Sequence, residues 1–490
     1  MGAPLQVYSE PSGTLIMSGI RLLLLAASCF AFPSVSSAQE KDASIVTLPK
    51  ETGDPMALSA EGDPVLSLGL SAENYTAFRD VVASAVARNP SVEEALAGRE
   101  VARAQKDEAR AGLYPDVIIA LAGRETIDRE FSNDPDNVLE RSRSLSRYDA
   151  SFNVDQTILD FGATSARIEA GTHRIRSAAL EVDAQAERVA LAAVASWYDV
   201  FAYRALVDLS ETFLVDQRRA LAEIEERIAG GVNAPGDLAR AESSIALTAA
   251  SLARYRRQLA GAEARFTELI GRPPPPGTLR APDPDVPAVS VDMAEYLARV
   301  SPPVEAAREE ANAVYDESRA AKAERYPTAS VGVRGGYYGL FDEAPGDSYD
   351  IRAEVTVQQE FFTGRFARSD AQKARADAAF ARAEAVEEEA AREAAIAWAD
   401  VRALDAELTA LAENYMAARR TRDVLAERFR YARGTLFDVL QAEDTYFSVA
   451  GRYIQTLTER DAARYVLLAR TGRLLDALGI ERAGPLNGRN

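Results

Sequence analysis

Two hydrophobic periods alternate along this 490-residue chain. From Tyr148 to Ile158, Tyr148, Ala150, Phe152 and Val154 fall on one side, and Asp149, Ser151, Asn153 and Asp155 on the other. A period of two is that of a half-buried strand. Val117, Ile119 and Leu121 alternate in the same way upstream of the polar loop containing Asp134-Pro135-Asp136. The pattern returns as Ala329, Val331 and Val333, then as Tyr349, Ile351, Ala353, Val355 and Val357, around Ala344-Pro345-Gly346-Asp347. It predicts two long hairpins, with strands near 114–125 and 147–158 and near 326–338 and 349–362. Each is long enough to cross a bilayer as tilted strands.

After each hairpin the period becomes helical and stays so. Val200, Val207, Leu214, Leu221 and Ile228 recur every seven residues, as do Leu404, Leu411, Ala418 and Leu425, the spacing of a left-handed coiled-coil seam. No proline interrupts 161–229 or 366–433, so the chain predicts two helices of about 100 Å each. Shorter returning helices follow, at 237–270 and 438–471. Asp237 and Asp438 stand at their starts, where a carboxylate suits exposed N–H groups. A helix at 91–112 precedes the first hairpin. Together with the return helix it is roughly as long as the long helix, so the two could lie end to end alongside it.

The two halves are copies. Glu226, Arg227, Asp237, Ala241 and Glu242 recur as Glu427, Arg428, Asp438, Ala442 and Glu443, displaced by 201 positions (226 to 427). Trp197 and Trp398, the only tryptophans, keep that displacement, as do Gly271 and Gly472. Upstream it becomes 212 (114 to 326), carrying Tyr114-Pro115 to Tyr326-Pro327 and Pro90 to Pro302. The organisation is therefore a first repeat at 75–271, a proline-rich linker at 272–291, a second repeat at 292–479 and a short tail at 480–490. An acidic arm at 39–74, with no sustained period, reads as loosely ordered.

Composition narrows the chemistry. The net charge of −19 and the lack of a basic stripe argue against nucleic acid. One cysteine and one histidine leave no disulfide framework, Cys-based metal site or His-dependent triad. No phosphate loop or metal-ligand spacing occurs, so neither an enzyme nor a cofactor is expected. Arg21, the run Leu22 to Ala27 and Ser36-Ser37-Ala38 form a secretory signal at 1–38, with Met17 as the alternative start. Cleavage is expected after Ala38. Cys29 reads as an ordinary signal-peptide cysteine, with a lipidation cysteine as the alternative. No later run of apolar residues is long enough for a membrane-spanning helix.

Four strands cannot close a transmembrane barrel, and an open edge in hydrocarbon leaves backbone groups unpaired. Several chains must contribute to one barrel, with Phe152, Val154, Ile351 and Val355 expected to face lipid. The duplicated helix–hairpin–long helix unit, the Tyr-Pro strand entries and the Gln156-to-Gly162 and Gln359-to-Gly364 strand exits resemble the TolC family of outer-membrane efflux and secretion channels. So do the turn blocks Gly231 to Glu242 and Gly434 to Glu443. The resemblance runs over about 76–479. It implies a mixed membrane protein: a homotrimer with four strands per chain in a transmembrane β-barrel, continued by a periplasmic α-helical coiled-coil barrel that tapers shut. It implies an exit duct for efflux or type I secretion, working with an inner-membrane ABC or RND transporter and a periplasmic adaptor.

By the same resemblance Asp237 and Asp438 line the pore constriction. Gly230, Gly231, Val232, Arg433 and Gly434 form the tip that meets the adaptor. The second turn departs from the first: Asp438 follows Gly434 by four positions, whereas Asp237 follows Gly231 by six. Beside these readings stand plainer ones, in which both aspartates are helix caps, the tryptophans pack an interface and His173 is solvated. The competing class is an exported coiled-coil rod or adhesin with no conduit.

Overall fold

The computed structural model describes residues 46–52, 55–56, 58–69, 75–128, 146–229, 235–281, 283–284, 290–340, 348–360, 363–431 and 433–482. The signal segment, both hairpin loops and Gly230, Gly231 and Val232 lie outside them. The first repeat comprises α1 (Tyr75–Arg88), α2 (Pro90–Ala111), β1 (Asp116–Glu125), β2 (Ser146–Leu159), α3 (Ala163–Ala229) and α4 (Pro235–Ile270). The second comprises α5 (Val291–Arg299), α6 (Pro302–Ala323), β3 (Thr328–Tyr338), β4 (Ser348–Gln358), α7 (Thr363–Arg430) and α8 (Leu436–Arg470). A short α9 (Leu474–Leu478) follows.

Local chemistry sets the breaks. Asn89 Oδ1 accepts from Ser91 N at 3.0 Å while Pro90 occupies the first turn of α2, where a missing N–H costs nothing. Tyr114-Pro115 and Tyr326-Pro327 end the preceding helices, because the residue before proline is driven out of the helical region. At the return from β2, the carboxylate of Asp160 accepts from Gly162 N at 3.0 Å and Thr164 N at 2.7 Å. That captures the free N–H groups at the start of α3.

The long helices contain 67 and 68 residues, about 100 Å each. The shorter helices stack end to end against them. Arg88, at the end of α1, donates to Ile270 O at the end of α4, 3.3 Å away, so α4 ends where α2 begins. In the second repeat Gly472, just past α8, has φ +65°, and a Cβ there would lie 2.8 Å from Pro302 Cδ. The junction thus occurs twice with a left-handed glycine: Gly271, φ +78°, abuts the Arg88 side chain at the end of α1, and Gly472 abuts Pro302 at the start of α6.

The main core surrounds the first junction. Phe78 meets Trp197 edge-on at 5.4 Å, and Phe266, Tyr465 and Leu474 are buried with them. Trp197 Nε1 donates to Leu279 O at 3.0 Å. Trp398 lies half-buried against a smaller cluster formed by α5, α7 and α8. Both tryptophans therefore sit at helix interfaces.

Three expectations need correction. The acidic arm is packed where it is described: Val46, Leu48 and Val65 are 1%, 6% and 0% exposed, in a cluster with Leu209, Tyr415 and Tyr446. Asp63 is buried, accepting from Arg419 at 2.7 Å and Tyr415 Oη at 3.1 Å. Its acidic composition concealed a few apolar residues in extended chain, which leave no period. His173 bridges repeats rather than standing in solvent, with Nδ1 2.6 Å from Glu309 and Nε2 3.6 Å from Asp316. The return helices begin at Pro235 and Leu436, which moves the two aspartates off the cap position.

Candidate functional site: a two-faced sheet and a helical tip

The four strands form one sheet in the order β1-β2-β3-β4, every neighbouring pair antiparallel. Directly opposed residues share a face, so the register sorts the side chains. Val117, Val154, Val333 and Ala353 form one row, and Ile119, Phe152, Gly335 and Ile351 the next. Leu121, Ala150, Tyr337 and Tyr349 complete the band. Phe152, Val154, Ile351 and Val355 all lie on this apolar face. The ring of Phe152 covers Gly335, where an added Cβ would come within 2.3 Å of it.

The opposite face carries Asp116, Asp149, Ser151, Asn153, Asp155, Arg334, Asp350, Arg352 and Glu354. Arg334 is its hub: Nη2 lies 2.9 Å from Glu354 and 3.9 Å from Asp155, and Nε donates to Asn153 Oδ1 at 3.1 Å. Tyr338 Oη donates to Asp350 at 2.9 Å. The sheet is thus apolar on one face and ion-paired on the other. Nothing in the period of β3 singled out Arg334, because its importance lies in partners on two other strands.

Among the described residues both edges of the sheet are open, since β1 and β4 are each paired on one side only. The alternation of direction makes β1 and β4 antiparallel to each other. The β4 of one copy can therefore pair with the β1 of the next in the same antiparallel sense, and a ring of copies closes without a mismatched seam.

At the far end of the long helices, Thr435 caps α8. Its Oγ1 accepts from Asp438 N at 3.2 Å and donates to Asp438 Oδ2 at 2.7 Å. Asp438 is therefore the third residue of the helix in a reciprocal capping arrangement, exposed to solvent. Asp237 holds the same third position after Pro235; its side chain lies outside the described residues. Both are displaced from the cap position expected of them, because the helices start one residue after Ala234 and Thr435. They still stand in the first turn, where negative charge complements the helix dipole. Arg433 is exposed, and its N–H donates to Arg428 O at 2.9 Å, closing the end of α7. Leu436 and Leu440 pack on Ile224 and Ala241, and the Arg240 guanidinium lies 5.1 Å from the ring centre of Phe437. The tips of the two repeats are thus pinned to each other.

Between sheet and tip lie buried charges that sequence reading missed. Arg280 of the linker reaches Asp461, and a network continues through Arg460, Asp283 and Arg464 to Asp405, with Arg464 2.9 Å from Asp283 and 3.0 Å from Asp405. Burial pushes the Asp461 carboxyl above the usual range, against the pull of Arg280 and Arg460. Glu187 is 5% exposed, and burial pushes it up to about 8, the Arg482 guanidinium 3.9 Å away opposing this. Among the described residues no group of three or more metal-ligating side chains occurs, and no helix is long and apolar enough to cross a membrane.

Residues 81–272 match the family model described as outer membrane efflux protein. The outer membrane efflux protein BepC of Brucella suis biovar 1 (strain 1330) is 25% identical over 298 residues, covering 59% of this chain and 65% of that protein's length, just under two thirds. Protein CyaE of Bordetella pertussis (strain Tohama I) is 25% identical over 409 residues, covering 81% of this chain and 84% of that one. Among solved structures, CusC superposes with a TM-score of 0.72 at 16% identity, covering 88% of this chain and all of that one (100%).

The fold is that of the solved outer-membrane channel on which the chain superposes, four strands and two long helices per protomer. Over residues 81–272 the chain is similar to the outer membrane efflux proteins.

Proposed function

We propose that three copies close a twelve-stranded barrel in the outer membrane, four strands from each. Their helices continue it as a tunnel across the periplasm, an exit duct for efflux or type I secretion. An inner-membrane ABC or RND transporter and a periplasmic adaptor feed the duct at its tip, where Arg433 and Gly434 stand exposed or half-exposed. One observation carries the reading: a sheet with one apolar and one ion-paired face, ending in two unpaired edges of opposite direction. Neither edge can face hydrocarbon alone, since each unpaired backbone group there costs several kcal/mol. A rod or adhesin without a conduit has no need of such a sheet.

In this reading the band containing Phe152, Val154, Ile351 and Val355 meets lipid, and the Arg334 face lines the lumen. Six aspartates, Asp237 and Asp438 of each copy, ring the narrow end and favour cations. The test is fractionation followed by cross-linking in mild detergent. The expected result is an outer-membrane product that is heat-modifiable and cross-links to a trimer and no further. A soluble periplasmic product, or a monomer in mild detergent, overturns the proposal.

A further inference from the structure

Just beyond the sheet, α7 presents sharply different faces. Ala376 and Ala383 are buried, on the side that packs against α6. Phe366 and Phe380 share another face and are 48% and 44% exposed. The Arg325 guanidinium lies 4.3 Å from the ring centre of Phe366, and Phe380 meets Tyr315 of α6 edge-on at 6.2 Å. Turned from these rings by about half a helical turn are Arg368, Arg375 and Arg382, one every seven residues and all exposed. Seven residues make two turns, so the three stand about 10 Å apart along the helix. None of them has an ion-pair, hydrogen-bond or ring partner among the described residues, in a chain of net charge −19.

The acids that could neutralise this row are mostly engaged elsewhere. Glu310, Glu317 and Glu324 repeat the same spacing in α6 and just past its end. Glu317 and Glu324 pair with Arg174 and Arg167 of α3, on the side of α6 away from α7. Arg368 lines an open hollow of about 850 Å³ together with Glu108 of α2, Arg167 of α3 and Glu324. Arg375 and Arg382 line an adjoining hollow of about 630 Å³ with Glu310. Four helices share a hollow where their layer is bent, so the arginine row lies on the concave side. Phe366, in the first turn of α7, lies on the convex side, and aromatic rings at the ends of transmembrane strands collect towards lipid. In a ring of copies closed through β4 and β1, the arginines therefore face inwards. Ala371, Ala374, Ala378 and Ala381 are exposed on the remaining face, where a helix of the next copy can approach without engaging the arginines.

A guanidinium fork matches the paired oxygens of carboxylate and phosphate, and arginines lining a pore favour anions. A spacing of about 10 Å is one Debye length in 0.1 M salt, so each arginine acts largely on its own. We propose that Arg368, Arg375 and Arg382 form a ladder on the inner wall of the conduit that binds multivalent oxyanionic groups of solutes in transit. The conduit is then not acidic throughout: cations are favoured at the tip, and anions are held nearer the sheet. This rests on the reading of the chain as one part of a conduit.

The experiment uses the full chain carrying Arg368→Gln, Arg375→Gln and Arg382→Gln together, and a companion carrying Arg368→Lys, Arg375→Lys and Arg382→Lys. Purified outer-membrane trimers are recorded in planar bilayers with inorganic tripolyphosphate as the probe. Tripolyphosphate is expected to interrupt the parent's current. In the glutamine variant the blocking concentration should rise about tenfold or more, the scale of one lost hydrogen bond to a charged group. Its reversal potential in a potassium chloride gradient should move towards stronger cation preference. The lysine variant should keep the parent's reversal potential, because the charge remains, and lose part of the block, because the fork is gone. A parent current indifferent to tripolyphosphate, or block and reversal potential unchanged in the glutamine variant, overturns the ladder. A glutamine variant that no longer assembles while the lysine variant does makes the row a bridge between copies and overturns it too. A parent trimer that inserts and carries no current overturns the conduit reading itself, an outcome read before any variant is compared.

Discussion

Arg280, in the proline-rich linker, buries its guanidinium against Asp461 of α8. Nε lies 2.5 Å from Oδ2 and Nη2 3.1 Å from Oδ1, with the side chains 2% and 0% exposed. The pair ties the seam between the repeats to the second return helix. Removing Arg280 leaves the buried Asp461 with only the Arg460 guanidinium as partner, which costs up to about 3–5 kcal/mol. Arg280→Ala is therefore expected to lower the thermal midpoint of the folded protein sharply. The paired change Arg280→Met with Asp461→Leu should restore most of it. Equal destabilisation by the single and double variants would show that the pair acts through something other than its charges.

Glu187 gives the fold a pH dependence of defined sign. Its folded value of about 8 is raised above the ordinary 4.5, so the native state prefers the protonated acid. That contribution is fully present below about pH 4.5 and is lost as pH rises through about 8. Glu187→Gln should match the parent near pH 4.5. At pH 9 it should be more stable, by on the order of a few kcal/mol. Unfolding midpoints that stay parallel across this range would contradict the burial of an uncharged carboxyl here.

Gly472 combines a left-handed backbone with a neighbour at contact: φ is +65°, and Pro302 Cδ lies 2.8 Å from the position of a Cβ. Gly277 has a similar φ of +68° and nothing within 4 Å. Gly277→Ala should cost about 1–2 kcal/mol for conformation alone. Gly472→Ala should cost about 1–3 kcal/mol more, because the α8–α6 junction must open. Equal losses would mean that the junction yields without strain.

The sheet makes a paired prediction on adjacent residues. Phe152→Arg places a charge on the apolar face, at a cost of about 2–4 kcal/mol if it lies near the bilayer midplane. Ser151→Arg, one residue away, puts the same charge on the ion-paired face. Heat-modifiable assembly should fall for Phe152→Arg and persist for Ser151→Arg. The reverse order would turn the barrel inside out.

What the sequence disclosed follows from what a period can carry. Tyr148, Ala150, Phe152 and Val154 alternate because they share one apolar face of β2, so the strand and the sorting of its side chains were both readable. The seven-residue rows were readable for the same reason: Val200, Val207 and Leu214 are buried along α3. Contacts made by short extended chain left no period to read. The composition of the arm gives no sign that Asp63 lies under Arg419, nor that of the linker that Arg280 reaches Asp461. At the tip the cap of α8 is Thr435, three residues before the aspartate expected to be it. Asp438 and Thr435 both suit a helix start, and burial of Leu436 and Leu440 against Ile224 and Ala241 makes Thr435 the cap.

The central claim is that the helices and strands enclose a conduit with an acidic narrow end. It is tested most directly by single-channel recording of the purified, detergent-extracted protein in planar lipid bilayers, comparing the parent with Asp237→Asn, Asp438→Asn together. Asparagine leaves the Thr435 cap in place and removes the charge at both third positions. The account predicts long-lived, discrete, cation-selective conductance steps that multivalent cations block, with block and selectivity both weakened in the double variant while the trimer stays intact. Folded outer-membrane trimers that insert yet conduct no current, or conduct without preference for cations and without change in the double variant, would contradict it.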